Sequence, residues 1–131
     1  MPHRFDLRVY YEDTDLAGVV YYANYLKFIE RGRSEWVRSL GIDQLALKAD
    51  HGLFLAVRRV EADYLRPARY DDQLVVTTEC RSLGNARIDL CQQVLRGDTV
   101  VFTALVTLVC VLETGRPGRI PAQLRAALAI A

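Results

Sequence analysis

Hydrophobic and polar positions along this chain change period twice. Phe5 to Tyr11 alternates, with Phe5, Leu7, Val9 and Tyr11 on one face and Asp6 and Arg8 on the other, which predicts a half-buried strand. From Asn24 to Leu40 the spacing widens: Tyr25, Ile29, Gly32, Trp36 and Leu40 recur every three or four residues, while Lys27, Glu30, Arg31, Glu35 and Arg38 fall mostly elsewhere. That is one amphipathic helix, stopped by Gly41. A glycine inside the apolar stripe costs about 1 kcal/mol of helix propensity, so Gly32 is expected to mark a close approach to a sheet. Residues 42–49 add a short helical turn. After Gly52 the pattern is extended, with strands expected at 53–65, 72–82, 86–96 and 99–113, punctuated by Pro67, Leu83-Gly84-Asn85 and Gly97-Asp98. A loop at 115–118 leads to a weak, frayed terminal helix signalled by Leu124 and Leu128.

The order is therefore strand, long helix, four antiparallel strands, an α+β arrangement with no linker or repeat, read as one domain over residues 1–131 with a weak tail at 115–131. One helix covers only one face of a five-stranded sheet. Yet Val100, Val101, Phe102, Ala104, Leu105, Val106, Leu108, Val109, Val111 and Leu112 put apolar groups on both faces of the last strand. Either the sheet curls round the helix or a second subunit covers the remainder.

Charge and cysteines narrow the setting. A formal net charge of +1 gives no global case for nucleic acid or an anionic membrane, so an anionic ligand must be met by local arginines. The N-terminus Met1-Pro2-His3-Arg4 is charged where a signal peptide needs an apolar run. The uncharged stretch Thr99 to Leu112 is shorter than the roughly 20 residues of a membrane-spanning helix. Cys80, Cys91 and Cys110 lack the paired spacing of a zinc or redox motif and read as reduced thiols, which suits a cytoplasmic protein.

Candidate chemistry concentrates in residues 11–25, where Glu12, Asp13 and Asp15 precede Gly18 and the long helix. Leu16, Ala17 and Val19 supply no further oxygen ligands, against a calcium loop. Pattern alone leaves two readings open. The acids are turn and cap residues near a helix N-terminus, or one is a catalytic carboxylate beside free amides able to polarise a carbonyl. Asn24 reads as the helix N-cap, and His51 as a solvated loop histidine.

Asp13-Thr14-Asp15, Gly18-Val19-Val20-Tyr21, Ala23-Asn24-Tyr25-Leu26 and Phe28-Ile29-Glu30-Arg31 resemble the signature of the 4-hydroxybenzoyl-CoA thioesterase family, in its YbgC-type acyl-CoA thioesterase branch. Asp63-Tyr64-Leu65-Arg66-Pro67-Ala68-Arg69-Tyr70-Asp71-Asp72 resembles the family's strand-to-turn segment. The resemblance implies a hot-dog fold, a long central helix wrapped by a five-stranded antiparallel sheet, with its active site at the interface of a homodimer or homotetramer. It also implies that the chain hydrolyses an acyl-CoA thioester without metal or other cofactor. Asp15 is then nucleophile or general base, and the Tyr22 backbone amide holds the thioester oxygen. The branch commonly carries His where this chain has Tyr22.

Asn24, placed by the resemblance in the first helical turn, is a substrate-side candidate, and Glu12 and Asp13 orient the loop. Coenzyme A brings phosphates, for which Arg87, after the 82–85 turn, is preferred among the arginines. Two rival functions are a non-catalytic hot-dog scaffold near an envelope complex, since YbgC-type proteins are associated with the Tol–Pal system, and a dehydratase. An intact Asp15 loop favours the enzyme over the first. The absence of a loop histidine disfavours the second.

Overall fold

In the computed structural model, which describes residues 2–129, the chain forms β1 (His3–Arg8), a 3-10 turn (Tyr11–Asp13), α1 (Asn24–Ser39), α2 (Gln44–His51), β2 (Leu53–Tyr64), β3 (Gln73–Leu83), β4 (Arg87–Arg96), β5 (Thr99–Leu112) and α3 (Ala122–Ala129). All neighbouring strands pair antiparallel in the order β1-β3-β4-β5-β2. This is the five-stranded sheet and long helix expected, with β1 and β2 at the edges.

Three local expectations change. The first strand stops at Arg8, and although Val9 stays buried, Tyr11 is 82% exposed. The chain turns there because the Asp13 carboxylate accepts the Tyr10 N–H at 2.8 Å, closing the 3-10 turn and ending the alternation. The second helix is a full two turns over Gln44–His51, capped by Asp43, whose Oδ1 accepts the amides of Leu45 (2.9 Å) and Ala46 (3.3 Å). His51 is accordingly its exposed last residue, not a loop residue. The terminal helix is anchored: Ile120, Leu124 and Leu128 are buried, and α3 packs on β3.

α1 buries Tyr25, Phe28, Ile29, Gly32, Trp36 and Val37 against β1, β3 and β4. Gly32 is the close approach: a Cβ there would lie 2.5 Å from Val76 Cγ1. Leu40 ends the helix and Gly41 follows at φ 77°, a left-handed turn that glycine adopts without strain. Beneath the helix, Gln92 is fully buried on β4, donating to Ile29 O (2.8 Å) and Thr78 Oγ1 (2.9 Å) and accepting from Arg33 (2.9 Å). Burial pushes the Arg33 guanidinium below its ordinary pKa, an effect the nearby Glu30 charge opposes.

The two faces of β5 separate as the sequence implies. Phe102, Ala104, Val106, Leu108 and Cys110 are buried, while Leu105 is about half exposed on the other face. α1 meets β2 through the Tyr25–Tyr64 ring pair, and Val57, Val60 and Tyr64 at the sheet edge remain exposed, as does Leu26 of the helix.

Candidate active site

The loop between β1 and α1 is folded around its own carboxylates. Asp13 ties both ends together: its backbone carbonyl accepts the Tyr21 N–H (2.9 Å) and the Asn24 Nδ2 (2.9 Å), while its side chain holds Tyr10. Asp15 closes the tip, its N–H donating to Val19 O (2.9 Å) and its carbonyl accepting the Gly18 N–H (3.0 Å). Gly18 sits at φ 80°, which a side chain would strain.

The second sequence block clamps this loop in place. Val19 bridges Arg69, and the Val20 N–H donates to Ala68 O at 2.8 Å. Ala68 is fully buried and donates its own N–H to the Tyr25 hydroxyl at 3.2 Å. Arg96 fixes the far side, donating to Pro67 O (2.9 Å) and pairing with Asp72 (3.2 Å).

The Asp15 side chain has two unlike oxygens. Oδ1 accepts the Ala17 N–H at 2.9 Å and the Val19 N–H at 3.4 Å, so the carboxylate is oriented by its own turn. Oδ2 makes no hydrogen bond among the described residues and faces an exposed setting. Asp13 and Asp15 serve different parts of the loop, and among the described residues no group of three or more His, Cys, Asp or Glu side chains could hold a metal ion.

The start of α1 is bare. Its N-cap is Ala23, with no side-chain cap. Asn24 is the first helical residue, so the N-cap reading of Asn24 is wrong. Its side chain reaches back to Asp13 and is not aimed at the helix amides. The amides of Tyr22 and Ala23 make no hydrogen bond among the described residues, leaving two donors at the positive end of a helix macrodipole. Tyr21 and Tyr22 stack tilted at 4.9 Å between centroids, and a hydrogen bond with Tyr22 is the largest cause raising the Tyr21 phenol pKa. The Asp15 charge adds to that rise.

Tyr64 was not singled out from sequence beyond its place in the second block. It ends β2 opposite Phe102 and donates its hydroxyl to Tyr22 O at 3.0 Å. Arg87 is not brought to this site within one chain. It pairs with Val109, seven residues along β5 from Phe102, or roughly 23 Å at about 3.3 Å per residue. Its side chain is engaged by Asp89 at 3.0 Å.

Known proteins resemble this chain in sequence and in fold. Residues 9–128 match the family described as the thioesterase-like superfamily. An acyl-CoA thioesterase YbgC of Haemophilus influenzae is 40% identical over 124 residues, covering 94% of this chain and 91% of the relative. An acyl-CoA thioester hydrolase YbgC of Escherichia coli is 41% identical over 109 residues, covering 82% and 81%. A crystal structure of a probable thioesterase from Bartonella henselae superposes with a TM-score of 0.87 at 40% identity, covering 92% of this chain and 100% of that one.

Proposed function

Because the chain belongs to the thioesterase-like superfamily, among relatives named YbgC, we propose that it hydrolyses an acyl-CoA thioester to a carboxylic acid and coenzyme A, with Asp15 supplying the attacking electron pair. The observation that carries this reading is the Asp15 carboxylate, oriented through one oxygen and open at the other, set on the same short loop as two unpaired amides. As base, Asp15 takes a proton from water and the water oxygen attacks the thioester carbonyl. As nucleophile, Oδ2 attacks directly, and water then opens the mixed anhydride. Either way the C–S bond breaks and coenzyme A leaves as the thiolate. The Tyr22 N–H bears the developing oxyanion.

A hydrolysis panel of short aliphatic, long aliphatic and aromatic acyl-CoAs tests the function and gives the acyl preference. Turnover of none of them removes the reading. A single turnover in ¹⁸O-water tests the nucleophilic route, since label found in Asp15 requires an anhydride opened by water at the Asp15 carbonyl, whereas direct attack of water on the thioester labels only the released acid.

The chain acts as a homodimer, further paired into a tetramer. What supports this is the uncovered edge: Val57, Val60 and Tyr64 on β2 and Leu26 on α1 are exposed apolar groups beside an unpaired strand. A two-fold pairing of β2 edges reverses the ends of the two sheets, carrying Arg87 of one copy toward the partner's Asp15 loop. That is the arrangement in which Arg87 meets a coenzyme A phosphate, exchanging Asp89 for it. Asn24, in the first turn, lies on the substrate side of the loop. Residues 1–131 act as one hot-dog unit, since one hydrophobic cluster runs from Val9 to Leu128. The cytoplasm is the compartment that suits the three free cysteines. No helix among the described residues is long and apolar enough to cross a membrane.

A further inference from the structure

The hydroxyl of Tyr64 ends a rigid aromatic stack and is spent on a single main-chain oxygen. Its ring lies edge-on to Tyr25 (5.5 Å between centroids) and to Phe102 (5.1 Å), and both of those residues are buried. From that seat it donates to Tyr22 O at 3.0 Å, across 42 residues of sequence. Neither the fold nor the packing of the ring requires this bond, because a phenylalanine would fill the same space.

The peptide carrying that oxygen joins Tyr22 to Ala23 and is trans, as no cis peptide occurs among the described residues. In a trans peptide the C=O and N–H lie in one plane and point in opposite directions. With Tyr22 O turned onto Tyr64, the Ala23 N–H is turned away from it, and it has no acceptor among the described residues. A hydrogen bond accepted by an amide oxygen also polarises the N–H of the same amide. Tyr64 therefore both orients and strengthens the Ala23 donor, next to the Tyr22 donor one residue earlier.

We propose that the thioester oxyanion is held by two main-chain amides, those of Tyr22 and Ala23, and that Tyr64 is the positioning residue that fixes the second through the Tyr22 carbonyl. This rests on the thioesterase reading above. Tyr64 touches no reacting atom. Burial holds its phenol above the ordinary pKa, with the neighbouring Tyr22 adding to the rise, so the donor proton is retained at neutral pH.

Steady-state kinetics on the acyl-CoA that wild type hydrolyses best, with thermal melting and the inhibition constant of free coenzyme A, test the proposal. Tyr64→Phe keeps the ring and removes only the donor. Its kcat should fall about tenfold, part of what a whole oxyanion donor is worth, with KM, coenzyme A binding and Tm unchanged. A purely packing role for Tyr64 would leave Tyr64→Phe at wild-type kcat and show a loss only in Tyr64→Leu, together with Tm. Ala23→Pro probes the amide itself: Ala23 already has φ −69°, the value proline imposes, at a helix start that tolerates proline. Losing that N–H should lower kcat by about 10²–10³. A Tyr64→Phe enzyme within twofold of wild type, or one that loses kcat only as its Tm falls, overturns the positioning role. A folded Ala23→Pro enzyme of full activity overturns the second donor. If wild type hydrolyses no thioester, the functional reading fails; if it is active and these variants are too, only this inference fails.

Discussion

Val76 occupies the space in which residue 32 would carry a Cβ, 2.5 Å from its Cγ1 and 2.9 Å from its own Cβ. Gly32→Ala must therefore push α1 off β3. The alanine gains about 1 kcal/mol of helix propensity, but overpacking costs about 1–3 kcal/mol. The variant should be destabilised by urea unfolding, and the added Val76→Ala substitution should recover part of the loss. An alanine variant more stable than wild type would contradict the contact.

Asp15→Asn should abolish thioester turnover with the fold retained. Asparagine still offers an oxygen to the Ala17 N–H, so the turn survives, while the negative charge is lost. Removing a positioned base typically costs about 10²–10⁴ in rate. The check is kcat alongside circular dichroism and light scattering. A variant turning over near the wild-type rate would end the assignment.

Gln92→Leu should cost stability out of proportion to its size. It removes the oxygen that Arg33 bonds and the amide bonded to Ile29 O and Thr78, stranding a cation in a place that already disfavours it. Each buried group left unpaired costs about 1–3 kcal/mol, more when charged. Arg33→Met combined with Gln92→Leu should recover part of the deficit in chemical denaturation. If the single variant unfolds at the wild-type midpoint, the buried network contributes nothing.

The unshared edge of β2 predicts assembly. Light scattering at micromolar concentration should show a dimer or tetramer, and Val60→Asp, which puts a charge on the exposed stripe without touching the core, should shift it toward monomer. A wild-type chain that stays monomeric removes both the oligomer and an interfacial active site.

Burial raises the thiol pKa of Cys110, and burial is likewise the first cause at Cys80, where hydrogen bonding to the Ser82 backbone lowers it and the Asp89 charge raises it. A raised thiol pKa means less thiolate at a given pH, and the thiolate is the reacting form. Native protein at pH 8 should alkylate both positions slowly compared with urea-unfolded protein, with Cys110 the slower, as followed by mass spectrometry. Equal labelling of native and unfolded chains would show these sites to be open.

Much of this was legible in sequence because it is local. The helix over Asn24–Ser39, the bounds of β2 to β5 and the meaning of Gly32 follow from periodicity and turn residues, whereas the end of β1 does not. Asp15 was singled out only through the family resemblance of its surrounding residues, since acids near a helix start are ordinary caps by pattern alone. What was not legible depends on pairs far apart in the chain. The Tyr64–Tyr22 bond and the Gln92–Arg33 bond join residues 42 and 59 positions apart, and no spacing rule points from one member to the other. The Asn24 cap failed for a related reason. A competing acceptor, the Asp13 carbonyl, was reachable only once the loop had closed on itself.

The strand order carries a consequence in time. β3, β4 and β5 are joined by short turns and can pair as they emerge, but β2 precedes all three in the chain and pairs only with β5. Contacts between distant segments form late, because the intervening chain must first be brought together. β2 therefore waits, on a growing chain, for a partner synthesised some forty residues later. Tyr64 stands at the end of that waiting strand, and its ring is seated by Phe102 of β5. The Tyr64–Tyr22 bond thus waits for β5, and the newborn protein completes its Asp15 loop among its last acts of folding.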